Sequence, residues 1–154
     1  MKTKIFALAL ITSVVGVTLC LADVQVMGTW KLNEAKSKFS PGASKNTTVV
    51  YQAVGDSVKV TVDGVDGQGK PTHNEWTGKF DGKDYPVTGD ANSDMRSLKA
   101  IDDRTLVLTV KNHGKVVATG RIILSPTLKT RKVVVHGTDA TGKKYQTTAV
   151  YDRQ

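Results

Sequence analysis

Hydrophobic and polar residues alternate along much of this chain. Over residues 57–63, Val58, Val60 and Val62 take one face, while Ser57, Lys59, Thr61 and Asp63 take the other. Residues 104–111 place Leu106, Leu108 and Val110 together, and residues 115–124 offer Val116, Ala118, Gly120, Ile122 and Leu124 on one side. A period of two marks a strand with one buried face, and the abundant valine and threonine suit such a surface.

Short turn signals separate these runs: 55–56, 66–70, 81–83, 102–104, 112–115 and 139–143, each built on glycine or Asp/Asn. Those residues tolerate the backbone of tight hairpins. Connections this short join antiparallel neighbours, because a parallel pair needs a long crossover. The pattern predicts strands near 27–33, 45–54, 57–63, 71–80, 84–89, 94–101, 104–111, 115–124, 130–138 and 144–152. Only the first connection is long. Asn33 is placed there to cap a single helical turn reaching Phe39, ended by Ser40-Pro41-Gly42. Consecutive hairpins predict an all-β, antiparallel up-and-down meander of about eight to ten strands, and closure into a barrel would remove its edges. A two-sheet sandwich is the alternative. The spacing G-x-D-x-x-G-K occurs at 64–70 and again at 137–143. It holds too few carboxylates for calcium and reads as recurrent hairpin geometry.

The first 22 residues follow another pattern. Lys2 and Lys4 precede an uncharged run of apolar or small residues that ends Cys20-Leu21-Ala22, with small residues at the third and first positions before a cut after Ala22. That is the layout of a secretory signal peptide. A retained membrane anchor and a lipid on Cys20 are the alternatives. Cleavage leaves residues 23–154 as one domain, secreted or periplasmic, with no stable membrane insertion after processing. Cys20 is the only cysteine, so the mature domain must be held by its core alone, and its length allows one. Setting Lys2 and Lys4 aside from 22 basic residues leaves 20 against 14 acids, a net of +6. The bases read as scattered along the chain. They imply a solvated basic surface and no nucleic-acid partner, with weak attraction to anionic envelope components as the alternative.

Gly28-Thr29-Trp30 resembles the G-x-W that opens the first strand of lipocalins, and Gly28–Leu32, "GTWKL", resembles the start of intracellular fatty-acid-binding proteins. The ending "TTAVYDRQ" resembles the last strand of the latter. The general plan is also similar to that of small exported bacterial proteins of lipocalin-like, calycin type. The resemblance implies a ligand-holding barrel in which Gly28 and Trp30 are structural, Trp30 plugging one end with a late arginine stacked on it. Arg153 and Arg121 are the candidates, and Trp30 as a ligand contact is the alternative. Two departures matter. The first connection is too short for the two helices that close a fatty-acid-binding barrel. Ala149 also stands where the resemblance puts an arginine, two residues before Tyr151. The expected ligand is therefore neutral or weakly polar, since a buried carboxylate would lack its cation.

Candidate chemistry is sparse. His73-x-Glu75 reads as a solvent-facing strand pair, His113 sits in a turn, and Asp102-Asp103 and Asp63/Asp66 read as turn acids. No nucleophile, metal or phosphate motif is present, so no enzyme, metal or cofactor is expected. Tyr51, Trp76, Phe80, Tyr145 and Tyr151 are expected to point into the barrel, where they either surround a ligand or fill the core. The function expected is non-catalytic binding of a small, largely apolar molecule. The alternative is an envelope interaction or structural protein with a filled barrel and a basic outer surface.

Overall fold

The computed structural model describes residues 25–139 and 141–154; the expected signal peptide and the expected cut after Ala22 lie outside them. The alternating runs form ten strands: β1 (Gly28–Leu32), β2 (Lys45–Val54), β3 (Ser57–Val65), β4 (Pro71–Gly78), β5 (Tyr85–Thr88), β6 (Met95–Asp102), β7 (Thr105–Asn112), β8 (Lys115–Leu124), β9 (Thr130–Thr138) and β10 (Lys144–Arg153). Each pairs antiparallel with the next, and β1 pairs with β10. The result is a closed up-and-down barrel with no free edge, not a sandwich.

The hairpins explain the repeated spacing. Asp66 Oδ1 accepts from the backbone of Gln68 and Lys70, each at 2.9 Å. Asp139 Oδ1 accepts from Thr141 and Lys143 in the same way. Gly69 and Gly142 take matching φ of 81° and 84°. The shared sequence is a turn device.

Two local expectations need correction. The helical turn is a single 3-10 turn over Glu34–Lys36, capped by Asn33, and does not reach Phe39. It stops because Lys38 rejoins the sheet, exchanging backbone hydrogen bonds of 2.7 and 2.9 Å with Thr148. Val116 is 56% exposed rather than inward. A bulge sets Ala118 opposite Val110 but Val116 opposite Lys111, and the extra residue turns Val116 out.

The inward positions are filled unevenly. One end of the barrel holds the start of β1, the chain end and the β8–β9 turn. There Trp30, Tyr51, Phe80, Leu98, Leu106, Ile122, Leu124 and Tyr151 form one buried cluster. The other end carries the 33–44 connection and the hairpins at 66–70 and 139–143. There inward residues such as Val110, Val135, Tyr145 and Thr147 are only half-buried. The barrel is densely filled at one end and less tightly filled at the other, here called its plugged and open ends.

Candidate functional site

The plug is built on Trp30, which is fully buried. Its Nε1 donates to the Val26 carbonyl at 2.8 Å. Two guanidiniums lie over the ring, Arg131 at 4.9 Å and Arg153 at 4.6 Å from its centre. Arg153 also donates to the Gln25 carbonyl. Of the two arginines expected to stack here, Arg153 does so, whereas Arg121 is exposed on the outside.

Arg131 is the residue that sequence reasoning missed. It is 2% exposed. It sits over Tyr51 and Tyr151 as well, at 5.1 and 4.7 Å, and its Nη1 donates to the Tyr51 hydroxyl at 2.9 Å. Its Nε has no partner. A cation this buried is costly unless compensated, and three electron-rich ring faces do part of that work. The register places Arg131 directly opposite Tyr151. Ala149 does leave the expected arginine position empty, but the neighbouring strand supplies a guanidinium, so the inference of an interior without a cation beside Tyr151 is wrong. The signal was available: Arg131 alternates with Val133 and Val135. Burial pushes the Tyr151 hydroxyl up to about 12, against the opposite pull of Arg131. That hydroxyl donates to the Asn46 carbonyl at 3.0 Å.

A second inward arginine lies on the open side. Arg96 faces Val110 across β6–β7. Its Nη1 donates to Asn74 at 3.2 Å and its Nη2 to Asp90 at 3.3 Å, while its Nε is buried without a partner. Burial pulls the guanidinium below its ordinary value, with the Asp90 carboxylate opposing. Asp90 also takes the Ser93 hydroxyl at 2.6 Å. Tyr145 stands on the same side of the barrel, seated over Gly137, whose missing side chain makes room for the phenol. Burial, then Asp90, raises its hydroxyl.

The five aromatic candidates therefore separate. Tyr51 and Phe80 meet edge to face at 6.3 Å, and Tyr151 joins them through Arg131, all in the plugged end. Trp76 points inward in the same buried cluster and stacks on Tyr85 at 6.2 Å. Tyr145 alone lines the open half. His73 pairs with Asp63 at 2.6 Å and Glu75 with Lys59 at 2.6 Å, both on the solvent face. Asp63 is thus a strand residue and not a turn acid. Among the described residues no group of three or more His, Cys, Asp or Glu side chains could hold a metal ion.

No family model matches the chain, and no curated protein matches it. Solved structures do. The structure of EF1p2_mFAP2b bound to DFHBI is 16% identical, with a TM-score of 0.51, covering 89% of this chain and 100% of that one. A redesigned β-barrel, mFAP1, bound to DFHBI is 17% identical with a TM-score of 0.49, covering 86% and 98%. A fluorescence-activating β-barrel designed de novo is 12% identical with a TM-score of 0.47, covering 89% and 100%. At such identities the likeness to the first bears on the barrel fold alone.

Proposed function

We propose that this protein is an exported, non-catalytic barrel that holds a small, largely apolar molecule in its open half, with a hydrogen-bond-accepting end turned to Arg96. The carrying observation is the one-sided filling. Buried aromatics and Arg131 close one end, while the half-buried Val110, Val135 and Thr147 line the other beside an Arg96 Nε with no partner. Apolar walls with a few placed donors suit a small ligand. The free Nε is a donor whose desolvation a ligand acceptor would offset. The similar barrel EF1p2_mFAP2b was solved bound to a small molecule, DFHBI, so the architecture is compatible with a container. The lipocalin-like opening Gly28-Thr29-Trp30 and the leader support the same reading.

Native mass spectrometry of protein purified from its host should show a co-purifying small molecule that persists at high salt and is lost on Arg96→Met. The intact mass of the exported chain should begin at Asp23. No co-purifying molecule, together with no binding of an apolar naphthalene-sulfonate dye, would remove the ligand reading. A mass that includes Met1 would remove the export reading.

A further inference from the structure

The excess positive charge is not spread evenly. Between Asp23 and Asn112 stand 12 acidic and 12 basic residues, a net of zero. From His113 onward, 2 acids face 8 bases. The net of +6 left after the leader therefore belongs to β8, β9, β10 and their hairpins, which are neighbours in the wall. Scattered along the sequence, the bases are gathered in space.

Arg131 and Arg153 are taken up by Trp30. The other six bases, Lys115, Arg121, Lys129, Lys132, Lys143 and Lys144, are exposed. None of them is in an ion pair: among the described residues every ion pair joins groups that precede Asn112. The two acids of this flank are already engaged, Asp139 by its own hairpin and Asp152 by Asn33 at 2.7 Å. Arg121 lies opposite Val134, Val134 opposite Thr148, and Thr148 bridges to the exposed Lys38. At the usual strand spacing the two cations stand about 14 Å apart across the wall. Lys132 lies further toward the plugged end and Lys144 toward the open end. The carboxylates of Asp102 and Asp103 border the cleft that Lys132 lines and bound the track there.

We propose that the outer face of β8–β10 is a docking surface for a linear acidic polysaccharide. Unpaired, exposed cations running the height of the barrel match a chain of regularly spaced carboxylates. Thr119, Gln146 and Thr148 stand between them and can bond sugar hydroxyls. Nucleic acid and membrane fit less well. The outer face of the flank carries one ring, the exposed His136 imidazole between Thr119 and Gln146; with Trp30, Tyr51, Trp76, Phe80 and Tyr151 buried, it has no row of aromatic faces for successive bases and no Trp or Tyr to anchor in a bilayer interface. The proposal does not depend on the interior ligand.

The test is binding of the full mature chain to alginate at low and high salt. The protein should bind at low salt and release at high salt, as screened surface charges do. Arg121→Glu with Lys132→Glu should weaken binding about tenfold or more, a loss of at least two phosphate-like contacts in a polyanion complex. Lys70→Glu with Lys99→Glu carries the same change in net charge elsewhere and should leave affinity within about twofold. Should the first pair fail to fold by circular dichroism, Arg121→Gln with Lys132→Gln reads the same point. Equal weakening by the two pairs, absence of alginate binding, or tighter binding to phosphatidylglycerol vesicles or single-stranded DNA would each overturn the proposal.

Discussion

Replacing Trp30 by alanine tests the plug most directly. Truncating a buried aromatic side chain commonly costs about 3–5 kcal/mol. Trp30 is fully buried, so the transfer and cavity contributions both apply. Loss of the Nε1 bond leaves the carbonyl of the equally buried Val26 without its donor, worth about 1–3 kcal/mol more. Arg131 and Arg153 also each lose a ring face, at about 0.5–2 kcal/mol for each contact. These contributions overlap and do not add, so the expected loss lies at the upper end, about 4–5 kcal/mol. Against a total stability of about 5–15 kcal/mol, that is enough to unfold a marginal domain. Urea titration would measure it, with Trp76, the remaining tryptophan, as reporter. Trp30→Phe keeps most of the packing but loses the hydrogen bond, and should cost about 2 kcal/mol, leaving a measurable transition. A loss below about 1 kcal/mol for the alanine variant would refute the plug as the stabilising element.

Further outcomes follow from neighbouring contacts. The Tyr151 hydroxyl is pushed up to about 12 in the folded state, so folding favours its neutral form. That contribution is full below about pH 10, where the unfolded tyrosine titrates, and is lost as pH rises toward about 12, by up to about 3 kcal/mol; alkaline denaturation should show the loss, and Tyr151→Phe should remove it. Gly78→Ala drives a methyl into the Tyr85 ring stacked on Trp76 and should destabilise by about 1–3 kcal/mol in the same urea assay. Gly137→Ala instead meets the far end of the Tyr145 side chain, which can swing away, so its stability should change little while binding of the naphthalene-sulfonate dye falls. Arg131→Met should cost less than Trp30→Ala in urea, because a well-packed apolar replacement of a buried ion is often near neutral, but its amide spectrum should show more than one conformation.

The strand plan was legible because it rests on the commonest signal, alternation with Asp/Gly turns. Val58, Val60 and Val62 read as one face and are one face. Trp30 read as a plug through its motif, and it is fully buried with Arg131 and Arg153 over its ring. What alternation cannot show is a bulge: one extra residue in β8 turned Val116 out. Nor does a search for apolar faces notice a polar residue that shares one. Arg131 and Arg96 sit near strand ends, where an arginine reads as the beginning of solvent. The gathered charge was equally hidden, because its visibility depends on knowing that β8, β9 and β10 adjoin and that most of the earlier cations are paired with acids, as Lys59 is with Glu75 and Lys111 with Asp84.

β9 brings these threads together. Its centre, Val133-Val134-Val135, is apolar on both faces, so the hydrophobic pattern alone would accept a slip of one residue. Such a slip would send every side chain of the strand to the opposite face. Arg131 would move to solvent, and Lys132 would enter among Trp30, Tyr51 and Tyr151. The two cations are not equivalent there. A planar guanidinium can lie over several ring faces while donating to the Tyr51 hydroxyl, as Arg131 does; an ammonium is a strongly hydrated point charge that loses more on burial. The same choice that seats Arg131 inside therefore fixes Lys132 outside, on the basic flank. The buried cation is therefore expected to act on register more than on stability, and register determines which charges face the interior and which face solvent.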